Sequence, residues 1–295
     1  MTVTCIDRHH PSYPTLLQEI FDPPDHLYVD GRIPAGPMIA VVGSRRATPY
    51  GLRTAQRLAR DLSRVGVVVV SGLARGIDAA AHRGALQGPT PTVAVLATGI
   101  DRIYPPEHAE LARDIAATGA VLTEAEAGTP PLPSRFPVRN RIISGMSLGV
   151  VVVEAAERSG ALITARMALE GNREVFCVPG SIDNPVAAGP HQLLKDGAKL
   201  VQTVEDVLEE FPELASVVPA ARARTRARTR AASGPAEPEL AAVWELLDWV
   251  EPRHHDDLAA AMRLDSKEVS RRLTLLEMGN YIIGDCGGVT RRPRD

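Results

Sequence analysis

The chain has 295 residues, is 44% hydrophobic and 23% charged, and carries a net charge of −3. That length accommodates a full α/β domain with a small second module, so a stapled mini-protein is excluded. Cys5, Cys177 and Cys286 form neither a disulfide framework nor a zinc-type CxxC pair, and no apolar run approaches the roughly 18 residues of a spanning helix, so the expectation is a cytoplasmic protein without a membrane segment.

In chain order, Pro11 to Gly31 is a proline-broken lead-in with a short helix and an edge strand. From Met38 to Phe211, β-branched runs alternate with helical patterns. The predicted strands are Ile39–Val42, Val67–Val70, Val93–Leu96, Val121–Thr123, Val150–Val153 and Val175–Val178. Each is near-continuously apolar, as strands buried on both faces must be. The predicted helices are Gly51–Val65, Ile77–Gln87, Glu107–Ala117 and Ala161–Leu169, and crossovers of this length imply a parallel sheet covered by helices on both faces.

Residues 212–238 follow as a linker carrying Arg222, Arg224, Arg226, Arg228 and Arg230, with no acid between Glu213 and Glu237. Residues 239–295 then read as a winged helix. An apolar helix (Leu240, Val243, Leu246, Leu247, Val250) precedes a helix, a turn and a helix that Asp265 caps, with Glu268 three residues on; a wing turns at Gly287–Gly288. The domains expected are thus 1–37 as an extension, 38–211 as the core, 212–238 as a linker and 239–295 as the winged helix.

Ligands of an open parallel sheet bind outside the carboxyl ends of its strands, so the loops after each strand carry the functional reading. After the first core strand, Gly43 and Ser44 are expected to leave backbone N–H groups accessible at a helix start, with Arg45 and Arg46 adding charge, an anion-binding arrangement. Neither GxGxxG nor GxxxxGK[ST] is present, which removes the main support for a dinucleotide or ATP site. The second loop offers Ser71, Gly72 and Arg75 as a second phosphate nest; Asp78 reads equally well as an N-cap. His108, in the third loop, reads as a packing or capping residue.

The fourth loop, SRFPVRNRIISGMS, sets Phe136 among Arg135, Arg139, Asn140 and Arg141 around a helix expected to begin at Pro137. An aromatic ring beside several guanidinium groups is what single-stranded nucleic acid needs, because a base stacks on the ring while the cations hold the backbone. A Phe136 that plugs the core and an Arg141 paired with a carboxylate are the plainer alternative. In the fifth loop Arg158, Ser159 and Gly160 open another helix start into the same crevice.

In order and spacing, VGSR, SGLARGID, ATGIDRIYPPEH, FPVRNRIISGMS, EAAERSGALITARMAL and VFCVPG resemble the pattern of the DprA/Smf family of DNA-processing proteins from about Pro11 to Val204. The resemblance implies an extended Rossmann-like fold followed by a small C-terminal winged helix, a homodimer, single-stranded DNA held in a positive pocket, and help in loading RecA recombinase during natural transformation and repair. It carries DNA-pocket roles to Gly43, Ser44, Arg45, Phe136, Arg139, Asn140 and Arg141, and implies no cofactor, no metal and no catalysis. Pro133 stands where family members often have lysine, with Arg135 as its substitute. A helical N-terminal domain common in the family has no counterpart ahead of PSYP, so either it is missing or the start is truncated.

Two other readings stay open. Related Rossmann-like proteins of the lysine-decarboxylase-like group hydrolyse nucleotides through PGGxGTxxE; this chain has SGALITARM there, leaving Glu124, Glu126 and Glu154 as candidate acids. Alternatively the winged helix binds double-stranded DNA through Lys267, Ser270, Arg271 and Thr274, diluted by Asp265, Glu268 and Asp285, or docks a protein.

Overall fold

The structure, a computed structural model, describes residues 3–212, 214, 235, 237–247, 253–262, 264–279, 281–285 and 288–291. The chain divides into two compact units, Met1–Pro219 and Ala220–Asp295. The arginines at 222–230 lie outside the described residues.

The first unit is built on a nine-stranded sheet. Its strands are β1 (Val3–Asp7), β2 (His26–Gly31), β3 (Met38–Val42), β4 (Val68–Ser71), β5 (Thr92–Val95), β6 (Ala120–Thr123), β7 (Gly149–Val152), β8 (Glu174–Cys177) and β9 (Lys199–Leu200). The helices are α1 (Thr15–Gln18), α2 (Pro49–Arg64), α3 (Ile77–Ala85), α4 (Ala109–Thr118), α5 (Arg135–Gly145), α6 (Gly160–Glu170), α7 (Ala188–Lys195) and α8 (Val204–Leu208). The spatial order is β1-β2-β6-β5-β4-β3-β7-β8-β9, parallel from β6 to β9.

Alternation along the central strands shows why each is apolar throughout. Ala40 and Val42 of β3, with Val150 and Val152 of β7, face one core. Ile39 and Val41, with Val151 and Val153, face the other. Two helical layers bury two sets of side chains, so neither phase of the strand can be polar.

The expected parallel sheet runs from β6 to β9, and an antiparallel edge is added beside β6. The lead-in supplies β2, which pairs antiparallel with β6 and, on its other side, with β1 from the residues ahead of the lead-in, so the outermost strand is β1. Gly31 lets β2 end against α4: its φ is +90°, and a Cβ there would meet the carbonyls of Gly119 and Ala116. The Arg32 N–H then donates to the Gly119 carbonyl at 2.7 Å. Helix α5 begins at Arg135 rather than Pro137, which sits in its first turn, where a missing N–H costs nothing.

The second unit contains α9 (Pro238–Leu246), α10 (His255–Met262), α11 (Ser266–Met278) and the antiparallel pair β10 (Ile282–Asp285) and β11 (Gly288–Arg291). Arg253 bridges to Val289, adding a third short segment to the wing. Leu240, Val243, Leu258, Val269, Leu273 and Leu276 form its core. The Asp265 carboxylate accepts from the Glu268 N–H at 2.7 Å, but Glu268 turns its own carboxylate to Arg271 and Arg272 instead of closing a reciprocal box. Val250 lies outside the described residues, as does Gly287.

Candidate functional site

Chain direction in the sheet reverses beside β3. From β3 the chain steps outward through β4, β5 and β6, then returns to lay β7 against the other side of β3. Loops after β3 and β7 therefore diverge, which opens a crevice at the carboxyl end of the sheet. A cavity of about 850 Å³ lies there. Of the residues read from sequence, Gly43, Ser44, Arg45, Arg46, Phe136, Arg139, Asn140, Ser159 and Gly160 line it.

The loop after β3 is locked on three sides. The Ser44 N–H donates to the Glu154 carbonyl at 2.6 Å, the Ser44 carbonyl accepts from the Ile77 N–H at 3.2 Å, and Ser44 Oγ accepts from the Arg46 N–H at 3.1 Å. Gly76 permits this closeness with φ +75°, since a Cβ would strike the Ser44 carbonyl. The expectation that Ser44 offers a free backbone N–H is thus corrected: that donor is spent.

The start of α2 is also occupied. Glu154, only 2% exposed, accepts from the Thr48 N–H at 2.8 Å and from the Thr48 hydroxyl at 2.5 Å, while that hydroxyl caps the helix by accepting from the Gly51 N–H. A carboxylate therefore supplies the negative charge that a helix N-terminus attracts. A phosphate is not needed there, and Glu154 is not a free acid. By contrast the start of α6 opens into the crevice, with Ser159 Oγ accepting from the Ala161 N–H and open space where a Gly160 side chain would be.

Phe136 stands in the wall opposite the β3 loop. The Arg45 guanidinium carbon lies 4.7 Å from its ring centroid, and Tyr104 meets the ring edge to face at 5.9 Å. Phe136 is therefore not a core plug. Tyr104 was missed by sequence reading, although it follows the third core strand and aromatics make up 4% of the chain.

The floor is a buried polar network. Arg139 donates to the carbonyls of Gly72 and Val95 and to the Asn140 amide oxygen, and Asn140 donates to the Gly160 carbonyl at 3.3 Å. Asp78 accepts from the N–H groups of Gly72 and Ala74, so it staples the loop before α3; Gly76 is the N-cap. Burial raises the Asp78 carboxyl above the usual range against the pull of Arg139, and burial lowers Arg139 to about 10. Arg139 lines the crevice, yet its guanidinium braces β4, β5 and α5.

The remaining assignments fall outside that lining. Ser71 is fully buried and donates its hydroxyl to the Val41 carbonyl. Gly72 is needed where it is because a Cβ would lie 2.5 Å from the Arg139 guanidinium. Arg75 pairs with Glu107 at 2.5 Å, and Arg135 and Arg158 are exposed. Arg141 points away from the crevice, to Glu124 at 2.5 Å and Asp22 at 3.1 Å, as in the plainer alternative. His108 is a packing residue bonded to the Leu73 carbonyl.

On the winged helix, Lys267, Ser270, Arg271 and Thr274 are all exposed on α11. Ser270 bonds His255, Thr274 donates to the Ser270 carbonyl, and Arg271 pairs with Glu268 and Glu239. Arginine neighbours, Arg271 foremost, hold the Glu268 carboxyl down to about 2. Among the described residues no group of three His, Cys, Asp or Glu could hold a metal, and no helix is long and apolar enough to cross a membrane.

Comparison with known proteins adds two family matches: DNA recombination-mediator protein A over residues 4–212, and the DprA winged helix domain over residues 227–287. DNA processing protein DprA of Bacillus subtilis is 45% identical over 204 residues, spanning 68% of this chain and 69% of the relative. Protein Smf of Escherichia coli is 49% identical over 202 residues, which is 68% of this chain and 54% of the relative. The X-ray structure of DprA from Streptococcus pneumoniae superposes with a TM-score of 0.67 at 42% identity, covering 71% of this chain and 75% of that one. A structure of DNA processing protein A from Helicobacter pylori, solved for its single-stranded DNA binding mode, gives 0.64 at 28% identity, covering 72% and 96%.

Proposed function

The chain belongs to the DprA/Smf family of DNA recombination mediators, and on that premise we propose that it is a non-catalytic binder of single-stranded DNA that helps load RecA recombinase, acting as a homodimer in the cytoplasm. The observation that carries the DNA reading is the Arg45–Phe136 pair, an aromatic ring and a guanidinium in contact at 4.7 Å within a crevice at the sheet's switch point. Bases stack on the ring, and arginines follow the phosphates with little sequence preference.

The work divides among the arginines by their partners. Arg45 and Arg46 supply phosphate contacts at the crevice, and exposed Arg135 and Arg158 extend them at the rim. Arg139 and Arg141 are engaged within the protein and contribute shape. Residues 38–211 hold the DNA site, with 1–37 completing their sheet, 212–238 acting as a tether and 239–295 as an accessory module.

Two to four neutralised phosphates give a log–log salt slope of about −1.4 to −2.8 on a single strand. The test is fluorescence anisotropy of labelled single-stranded and duplex oligonucleotides over a salt series, with the intact chain and a version ending at Phe211. Salt-sensitive single-strand binding that survives truncation, with a slope reduced by about 0.7 in Arg45→Ala, is the expected result. Binding confined to duplex, or lost with the tail, moves the function to the winged helix.

A further inference from the structure

The wall bearing Phe136 contains a second ring that no part of the proposed function uses. Tyr104 is half-buried and lines the same crevice. Its loop is held in place by the Thr98 hydroxyl, which donates to the Arg102 carbonyl at 2.6 Å. The same loop is tied to the loop after β6: the Gly99 N–H donates to the Thr129 carbonyl at 3.1 Å, and Asp101 accepts from the Gly128 N–H at 2.8 Å. That second loop carries Pro131 and Pro133 to the crevice. Tyr104, Phe136 and the two prolines therefore make one continuous, largely apolar wall, fixed before any ligand arrives.

Resting on the single-strand reading, we propose that Tyr104 is a second base-stacking residue and that the wall takes two separate bases of one strand. Three observations carry this. A base sandwiched between parallel rings needs two contacts of about 3.5 Å, so centroids about 7 Å apart; these rings are 5.9 Å apart and inclined at 61°. They cannot share one base between them, so each base stacks on a ring face that the edge-to-face contact leaves open. Arg45 already lies over one face of Phe136, which leaves that ring at most one face for a base while the guanidinium stays. A wall already in place spends little ordering entropy on binding, so a second contact adds to affinity. The bases then face the Tyr104–Phe136 wall and the backbone faces Arg45 and Arg46.

The test is an anisotropy double-mutant cycle on single-stranded DNA with Tyr104→Ala, Phe136→Ala and the pair. Each single change is expected to weaken binding about 5- to 150-fold, the range of one lost stack. The pair should weaken it clearly more than either change alone, with a departure from the product that reports the contact between the rings. Tyr104→Phe, which keeps the ring, should bind like the unaltered protein, and the salt slope should stay the same in every variant because no phosphate contact is lost. Should Tyr104→Ala fail to fold, Tyr104→Leu keeps the apolar bulk without the ring and is read the same way. A Tyr104→Ala protein of undiminished affinity beside a weakened Phe136→Ala overturns the inference and leaves the single-strand reading standing. So does a pair no weaker than Phe136→Ala alone, which makes Tyr104 a prop for its neighbour. An unaltered protein that ignores single strands at low salt overturns both.

Discussion

Arg139 carries its charge to a place where water hardly reaches it, and it is kept there by the carbonyls of Gly72 and Val95 and by the nearby Asp78 carboxylate. Removing one partner of such a set leaves the other buried without compensation, which costs about 3–5 kcal/mol. Arg139→Leu is therefore expected to lose stability of that order in urea unfolding while keeping the salt slope of whatever binding persists; Arg45→Ala should do the reverse. Arg141 is a different case. It sits two residues further along α5, with Glu124 and Asp22 as partners. Glu124→Gln distinguishes its roles: if Arg141 held phosphate, removing a competing carboxylate would strengthen binding, whereas the ion pairs seen here predict no gain in affinity and a loss of stability. How much of this was legible follows from helical geometry. Phe136, Arg139 and Asn140 share one face of a 3.6-residue helix, and Arg141 is turned well away from it. The sequence displays that spacing, but it does not say which guanidinium finds an internal carbonyl, because Gly72 and Val95 lie 67 and 44 residues away.

At the scale of elements, the crevice depends on one tie between β7 and α2. Glu154 follows β7 and reaches the first turn of α2 through Thr48, a contact 106 residues apart in sequence. Hydrogen bonds to a charged group contribute about 1.5–3 kcal/mol. Glu154→Gln keeps an acceptor but loses the charge, so the expected outcome is destabilisation toward the lower end of that range. Amide hydrogen exchange at Gly51 and its neighbours should rise before exchange in β3 does. Equal acceleration in β3 and α2 would mean that Glu154 stabilises the whole sheet and not the helix start. The six central strands were legible to within a residue at each end because each is a valine-rich run buried on both faces. β1 was not: four of the five residues of VTCID are exposed and it pairs on one side only. β9, with two residues, is too short for any periodicity to register. Antiparallel pairing of β2 on β6 is likewise a long-range choice that no local pattern encodes.

For the molecule as a whole, a net charge of −3 conceals an uneven distribution, with acids outnumbering bases over residues 239–295 and five arginines against two acids over residues 212–238. Stability should be just as uneven with pH. His82 is fully buried between α3 and β5, its Nδ1 2.9 Å from the Thr92 hydroxyl. Burial, with the nearby His108 and Arg139 acting in the same direction, holds its imidazole down to about 3. An unfolded histidine titrates near 6.5. As pH falls below 6.5 the unfolded chain takes up a proton that the folded chain refuses until about pH 3. Stability fully present above 6.5 is thus lost across that window, with a slope of up to about 1.4 kcal/mol per pH unit. Asp78 opposes this at the acid end, since its raised folded pKa lets the folded state gain a proton before the unfolded state does. The net decline should accordingly steepen as pH falls through 6.5, approach its full slope about a unit lower, and flatten where Asp78 takes up its proton. Two compact units need not unfold together, so the measurement belongs on the version ending at Phe211, by urea unfolding from pH 7.5 down to 4.5, beside His82→Gln. The substitution should remove most of the slope between 6.5 and 5; an unchanged slope would assign the titration to other histidines.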